Sequence, residues 1–361
     1  MAADTVYLPE SLTPQLSENQ KIIYRAQPAK VFIADPNPPR FTEYFPPPAW
    51  ISAESFKGNT AAFRISYVGS GDQDLWGATC QAFPAEAKGA FTTAANIWAK
   101  LLHSRTPITI RACWGDLGAD SSTLGYSGGG SYIRDFPGAP RAKTWYASSL
   151  ANALHGEDMI PSEYDMHITF NSDLPGVYHW NYRPDGNVDS DEFDFLTVAL
   201  HEICHGLGFM GSMNGGSTWG IDGYPLIYDV FTRDTYGTRL IDYDGSYPYT
   251  LPETLTAGQV FFHGSHAMAA NGGKRVELFT PDTWMPGSSY SHLSMNFNGT
   301  SDKLMVYMLS LGNAIHSPGP ITLGLLKDVG WPGSAVGPPN PPPERPNPPL
   351  SYLLLLLGED S

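Results

Sequence analysis

Residues 194–209 read DFLTVALHEICHGLGF, and this stretch limits what the chain can become more than any other. Phe193, Phe195, Leu196, Val198, Ala199 and Leu200 are apolar enough to require burial in a core. Asp191, Glu192 and Asp194 stand where a helix start leaves N–H groups unpaired. On a helix, positions four apart share one face, so His201 and His205 present two imidazoles to one metal ion. Glu202, beside the first, is placed to act as general base on a water at that metal. Gly206 and Gly208 follow at once and offer a helix stop in the left-handed conformation. The segment predicts a buried helix that ends abruptly at a metal site. A chance match is the competing reading, because HExxH has only three fixed positions. The apolar run and the flanking glycines weigh against it.

Two imidazoles do not complete such a site. A catalytic zinc takes three protein ligands and keeps the fourth position for water. A thermolysin-like site would draw its third ligand from a Glu farther on, yet no Glu lies between Glu202 and Glu253. The uninterrupted pattern HExxHxxGxxH has its Gly in Gly208, but Gly211 stands where the last His belongs. The third ligand must come from a later His: His263, His266, His292 or His316. His263 and His266 form a short pair in a glycine-containing loop, where histidines are more often solvated. His316, before Ser317-Pro318, reads as a turn residue.

His292 stands in Gly287-Ser288-Ser289-Tyr290-Ser291-His292-Leu293, ahead of Leu304-Met305 and of Asp328-Val329-Gly330-Trp331. In this order, after HEICHGLGF, these motifs resemble the leishmanolysin-like branch of the metzincins, from roughly Asp194 to Trp331. In that family a long insertion separates the helix from the third zinc histidine, here by 292 − 205 = 87 positions. The resemblance implies Zn2+ held by His201, His205 and His292, with Met305 as an apolar floor beneath. It implies a secreted zinc endopeptidase in which Glu202 takes a proton from water and delivers it to the leaving amine. Its substrate is a protein or peptide, extended along an edge strand. The implied fold is α+β, with a mixed twisted sheet and the active-site helix in an upper half and a loop-rich, mainly irregular and helical lower half. Leu293 stands where the family has Trp. Met305-Val306-Tyr307 is similar instead to the astacin and serralysin turn, which makes Tyr307 a candidate fifth ligand and oxyanion donor. An interior aromatic is the plainer role for it. The competing function is a non-catalytic zinc-bearing adhesion or carbohydrate-binding module. Glu202 speaks against that, since a structural zinc site calls for a fourth protein ligand and no base.

At 361 residues and 42% hydrophobic content, the chain can bury a sizeable core. A net charge of −15 excludes nucleic acid and anionic membrane as expected partners. The run at 353–357 is far shorter than the ~20 residues of a membrane-spanning helix. The first residues lack the apolar core of a secretion signal, so the resemblance to exported proteins predicts a mature form whose leader is gone. Of three cysteines, Cys204 lies in the motif and is expected to pack. Cys80 and Cys113 are candidates for one disulfide, and Cys80 alternatively for a thiolate that blocks zinc in a latent form.

The expected organisation is a proline-rich segment at 1–52 (a wrap or a pro-region remnant), a catalytic domain at 53–332 with an insertion at about 212–286, and a Pro-rich linker and tail at 333–361. Alternation predicts strands at 63–68, 108–112 and 167–170, and helical spacing predicts helices at 85–102 and 145–154. Gly128-Gly129-Gly130 lacks the context of a phosphate loop and reads as a flexible segment near an edge strand. Oxygen-bearing side chains alternate over 185–191, in part like a Ca2+ loop, although a solvated acidic loop before the next helix is the simpler reading.

Overall fold

The computed structural model describes residues 21–23, 29–37, 42–49, 60–118, 121–174, 176, 178–244 and 249–333. The tail expected from 333 thus lies, beyond its first residue, outside the described residues. So do most of 1–28 and all of 50–59.

Seven strands build the main sheet: β1 (Lys30–Ala34), β2 (Phe63–Tyr67), β3 (Cys80–Gln81), β4 (Ile108–Gly115), β5 (Thr123–Gly129), β6 (Met166–Asn171) and β7 (Met308–Leu309). Their order is β7-β1-β5-β6-β4-β2, with β3 antiparallel to the end of β4. β2, β4 and β6 run parallel, β5 is antiparallel to β6, and β1 is antiparallel to β5. The expected strands therefore form, each within a few residues of its predicted span. The α-helices among the described residues number six: α1 (Ala85–Leu101), α2 (Ser148–His155), α3 (Phe195–Gly206), α4 (Leu251–Leu255), α5 (Ser265–Ala270) and α6 (Pro320–Val329). The fold is α+β with a mixed sheet.

α1 connects β2 to the parallel β4 and turns Ala87, Phe91, Ala94, Trp98 and Leu101 inward, a stripe at three- and four-residue spacing. It packs against α3, and Trp98 Nε1 donates to the Leu200 carbonyl at 3.0 Å. The predicted helix at 145–154 begins later, because Trp145–Ala147 first forms a short strand. The glycines at 128–130 were expected to be flexible, but Gly128 and Gly129 close β5 inside the sheet. Their smallness answers crowding: a Cβ at Gly130 would meet the Tyr164 carbonyl at 2.0 Å. At Gly125 it would meet Val198 of α3 at 3.2 Å, so the motif helix lies directly over this strand.

The insertion carries α4, α5 and a three-stranded sheet (Thr232–Arg233, Phe261–Phe262, Val276–Glu277). α5 packs on α6, which starts with Pro320 at its first turn and stops at Gly330 with φ +119°. Trp331 Nε1 then donates to the Leu207 carbonyl at 2.7 Å, tying the segment after α6 to the end of α3.

Cys80 and Cys113 form a disulfide with a sequence separation of 33. Cys80 is thus no free thiolate able to block a metal, which corrects that expectation. A loop of this length predicts that reduction lowers stability by about 3–4 kcal/mol. Urea unfolding with and without reductant, with the buried Cys204 thiol as the remaining cysteine, measures it.

Candidate metal centre

α3 begins at Asp194, whose carboxylate Oδ2 accepts from the Thr197 N–H at 2.8 Å and from Thr197 Oγ1 at 2.6 Å. His316 Nε2 approaches the same oxygen at 2.8 Å. His316, read from the sequence as a turn residue, is wholly buried at the helix start, brought there across 122 positions. Asp194→Ala is expected to lower stability by about 2–4 kcal/mol, from the lost cap and the orphaned imidazole. Asp194→Asn, which keeps an acceptor, should cost less, as read from urea midpoints.

Every residue of α3 is buried. His201 and His205 project from its last turns, and Leu207 closes it before Gly208 at φ +103°. His292 arrives from a loop held at several points. Phe279 N–H donates to the His292 carbonyl at 2.9 Å, and Leu293 N–H to the Met305 carbonyl at 2.8 Å. Two residues earlier, Tyr290 takes a left-handed φ of +72° and hydrogen-bonds through its hydroxyl to the buried Asp229 at 2.9 Å. Asp229 also accepts from Ser212, so one carboxylate joins the loop after α3 to the loop before His292. Burial pushes its carboxyl above the usual range.

The three rings meet at their Nε2 atoms, 3.0 Å apart for His201–His205 and 3.1 Å for each pair with His292. Each Nδ1 faces a backbone carbonyl: Leu304 for His201 at 2.6 Å, Phe209 for His205 at 2.7 Å and Ser288 for His292 at 2.6 Å. A carbonyl can only accept, so every ring proton sits on Nδ1 and three bare Nε2 lone pairs converge. A metal cation would satisfy all three at once. A proton is opposed by burial, which drives His201 down to about 3 and His205 and His292 well below the ordinary imidazole value. Tetrahedral zinc with Zn–N of about 2.0–2.1 Å sets nitrogens about 3.3–3.4 Å apart, close to this triangle. The residues therefore fit the metal that the motif predicts. Among the described residues no other three imidazole, thiol or carboxylate groups converge.

Glu202 is wholly buried beside its two neighbours on the helix. Its Oε2 accepts from Ser127 Oγ of β5 at 2.6 Å, while Oε1 has no hydrogen-bond partner. Burial raises its carboxyl well above the ordinary value, and the Ser127 hydroxyl opposes that rise. Ser127 was not singled out from the sequence. No local pattern marks it, since its contact with Glu202 spans 75 positions.

Met305 is buried in a turn (Lys303–Met305) whose Leu304 carbonyl holds His201. Tyr307 stacks on Phe279 with ring centroids 4.0 Å apart, and among the described residues it has no hydrogen bond to the histidines. In this arrangement it packs. His263 accepts from Arg233 Nε at 3.1 Å on the surface, and His266 lies on α5 with its backbone N–H on Asp328. In the acidic loop, Asp185 accepts from the Asn187 N–H, and Asp189 and Glu192 meet Arg183. These carboxylates serve the loop's own turns.

From the proline-rich N-terminal segment, expected as a wrap or a pro-region remnant, β1 reaches the site: Phe32 stacks on His201 with centroids 3.8 Å apart and planes 2° from parallel.

A sequence family described as SPBPB7E8-like matches residues 158–235, a minority of the chain that includes α3 but not His292. No curated protein and no solved structure matches the chain.

Proposed function

We propose that this chain is a secreted zinc endopeptidase of the metzincin type, closest to the leishmanolysin-like group, acting on proteins or peptides. The observation that carries the reading is the triangle of three bare imidazole nitrogens beside a carboxylate with one unpartnered oxygen. His201, His205 and His292 would hold the zinc. Bound there, zinc supplies Lewis acidity, polarising a peptide carbonyl and lowering the pKa of water to about 7.

The remaining work falls to the chain's own groups. The Leu304, Phe209 and Ser288 carbonyls fix ring orientation and tautomer, as outer partners of metal-binding histidines commonly do. Ser127 anchors one oxygen of Glu202 and leaves the other to accept the proton of the attacking water. The raised proton affinity of this buried carboxyl suits it to hold that proton before delivery to the leaving amine. β5, paired to β6 on one side and to β1 on the other, would offer main-chain groups to an extended peptide once β1 left that edge.

A second reading, a non-catalytic zinc-bearing adhesion or carbohydrate-binding module, is favoured by one observation: His201, Glu202, His205 and His292 are all 0% exposed. Casein or gelatin hydrolysis separates the two, measured with and without chelator on the wild type and on a variant loosened over the site by Ile33→Pro. Chelator-sensitive hydrolysis that Glu202→Ala abolishes supports the peptidase. Zinc binding with no hydrolysis in either protein supports the module.

A further inference from the structure

β1 does more than extend the sheet. On one edge it pairs antiparallel with β5, setting Lys30 opposite Ser127, Val31 opposite Tyr126 and Phe32 opposite Gly125. On its other edge the N–H groups of Val31, Ile33 and Asp35 donate to the carbonyls of Gly287, Tyr307 and Leu309 at 3.1, 3.1 and 2.8 Å. Those acceptors flank His292 and follow the turn under His201. β1 therefore bridges the upper sheet and the lower half across the histidines, with both backbone edges satisfied. Its side chains alternate: Lys30, Phe32 and Ala34 are buried, and Val31 and Ile33 are half-buried. Phe32 covers the His201 ring. Lys30 lines a cavity of about 410 Å³ together with Gly211, Met213, Ile221, Trp284 and Gly287. There its ammonium donates to the Gly211 carbonyl at 3.2 Å and lies within the field of Asp229.

An extended peptide added to β5 would form this same ladder. We propose that β1 occupies the place of a substrate strand, holding the site latent, and that the place of Lys30 beside this cavity receives a long cationic side chain of the substrate. This rests on the peptidase reading for the word substrate, but the covering of the histidines is independent of it. Without β1, β5 becomes an edge strand and His201 loses the ring stacked on it.

The test uses the full chain with Ile33→Pro, which removes the N–H bonded to Tyr307, and separately Phe32→Ser, which removes the ring over His201. Two readouts are followed. In metal-free protein, mass spectrometry maps ethoxyformylation of His201, His205 and His292 by diethyl pyrocarbonate. In zinc-loaded protein, casein hydrolysis is measured. Both variants should raise modification of the three histidines at least tenfold over wild type, at an unchanged urea midpoint for the Pro variant. A synthetic peptide with the sequence of residues 29–37 should return them to the protected state. The same peptide with Glu in place of its Lys should do so at least tenfold more weakly. Because an unfolded variant cannot be re-protected by the peptide, that arm also separates opening from unfolding. Protection equal to wild type in both variants overturns the proposal, as does failure of the peptide to restore it. Equal potency of the two peptides overturns the cationic pocket. Opened histidines with no casein hydrolysis leave the covering strand standing and count against the peptidase reading alone.

Discussion

Glu202→Gln, made in the Ile33→Pro background, is expected to lower casein hydrolysis by about 10²–10⁴-fold, the usual scale of a lost general base. Zinc content should remain at the parent's level. The substitution keeps the size of the side chain and keeps an acceptor for Ser127, so α3 and the three imidazoles have no reason to move. What disappears is the basicity of the oxygen that has no partner in the structure. The prediction therefore has two halves, a large loss of turnover and an unaltered metal. Turnover that survives would remove Glu202 from the mechanism. Loss of zinc together with turnover would mean that the carboxylate helps to hold the ion, and its role as base would then need separate evidence.

His292→Ala should abolish stoichiometric zinc after dialysis, a loss larger than the roughly 10–100-fold that outer partners of a ligand produce. His263→Ala and His266→Ala should retain the ion. The physical ground is the triangle: deleting one corner leaves two nitrogens on α3 and a buried void where a third donor stood. His263 and His266 take no part in it, the first bonded to Arg233 and the second on α5. Equal loss in all three variants would mean that the insertion as a whole shapes the site and that His292 holds no special place in it. Metal analysis beside a near-ultraviolet spectrum separates lost ligation from lost folding.

Much of α3 was legible in advance because its determinants are local. The carboxylates at its start, the apolar run, the i and i+4 histidines and the glycines at its end all lie within one short stretch, and of these the structure uses Asp194 as the cap and Gly208, not Gly206, at the stop. His292 was legible only through a resemblance in the order of motifs, since nothing in its own neighbourhood distinguishes a ligand from a loop histidine. His316 was misread for the same reason. Its partner Asp194 is distant in the chain, and a His before Ser-Pro has the local look of a turn. The glycines at 128–130 were misread because composition suggests looseness, whereas the smallness of Gly129 and Gly130 answers the close approach of Tyr132 and Tyr164.

The sequence by itself determined the motif helix, its two imidazoles and its carboxylate, because helix geometry converts a spacing of four residues into a shared face. Only the tertiary structure decided the rest. It brought Nε2 of His292 to 3.1 Å from the other two, bonded Ser127 to Glu202, and laid Phe32 on His201. Each of these contacts depends on chain returning from far away. Its position is set by sheet register and core packing, which no short stretch of residues encodes.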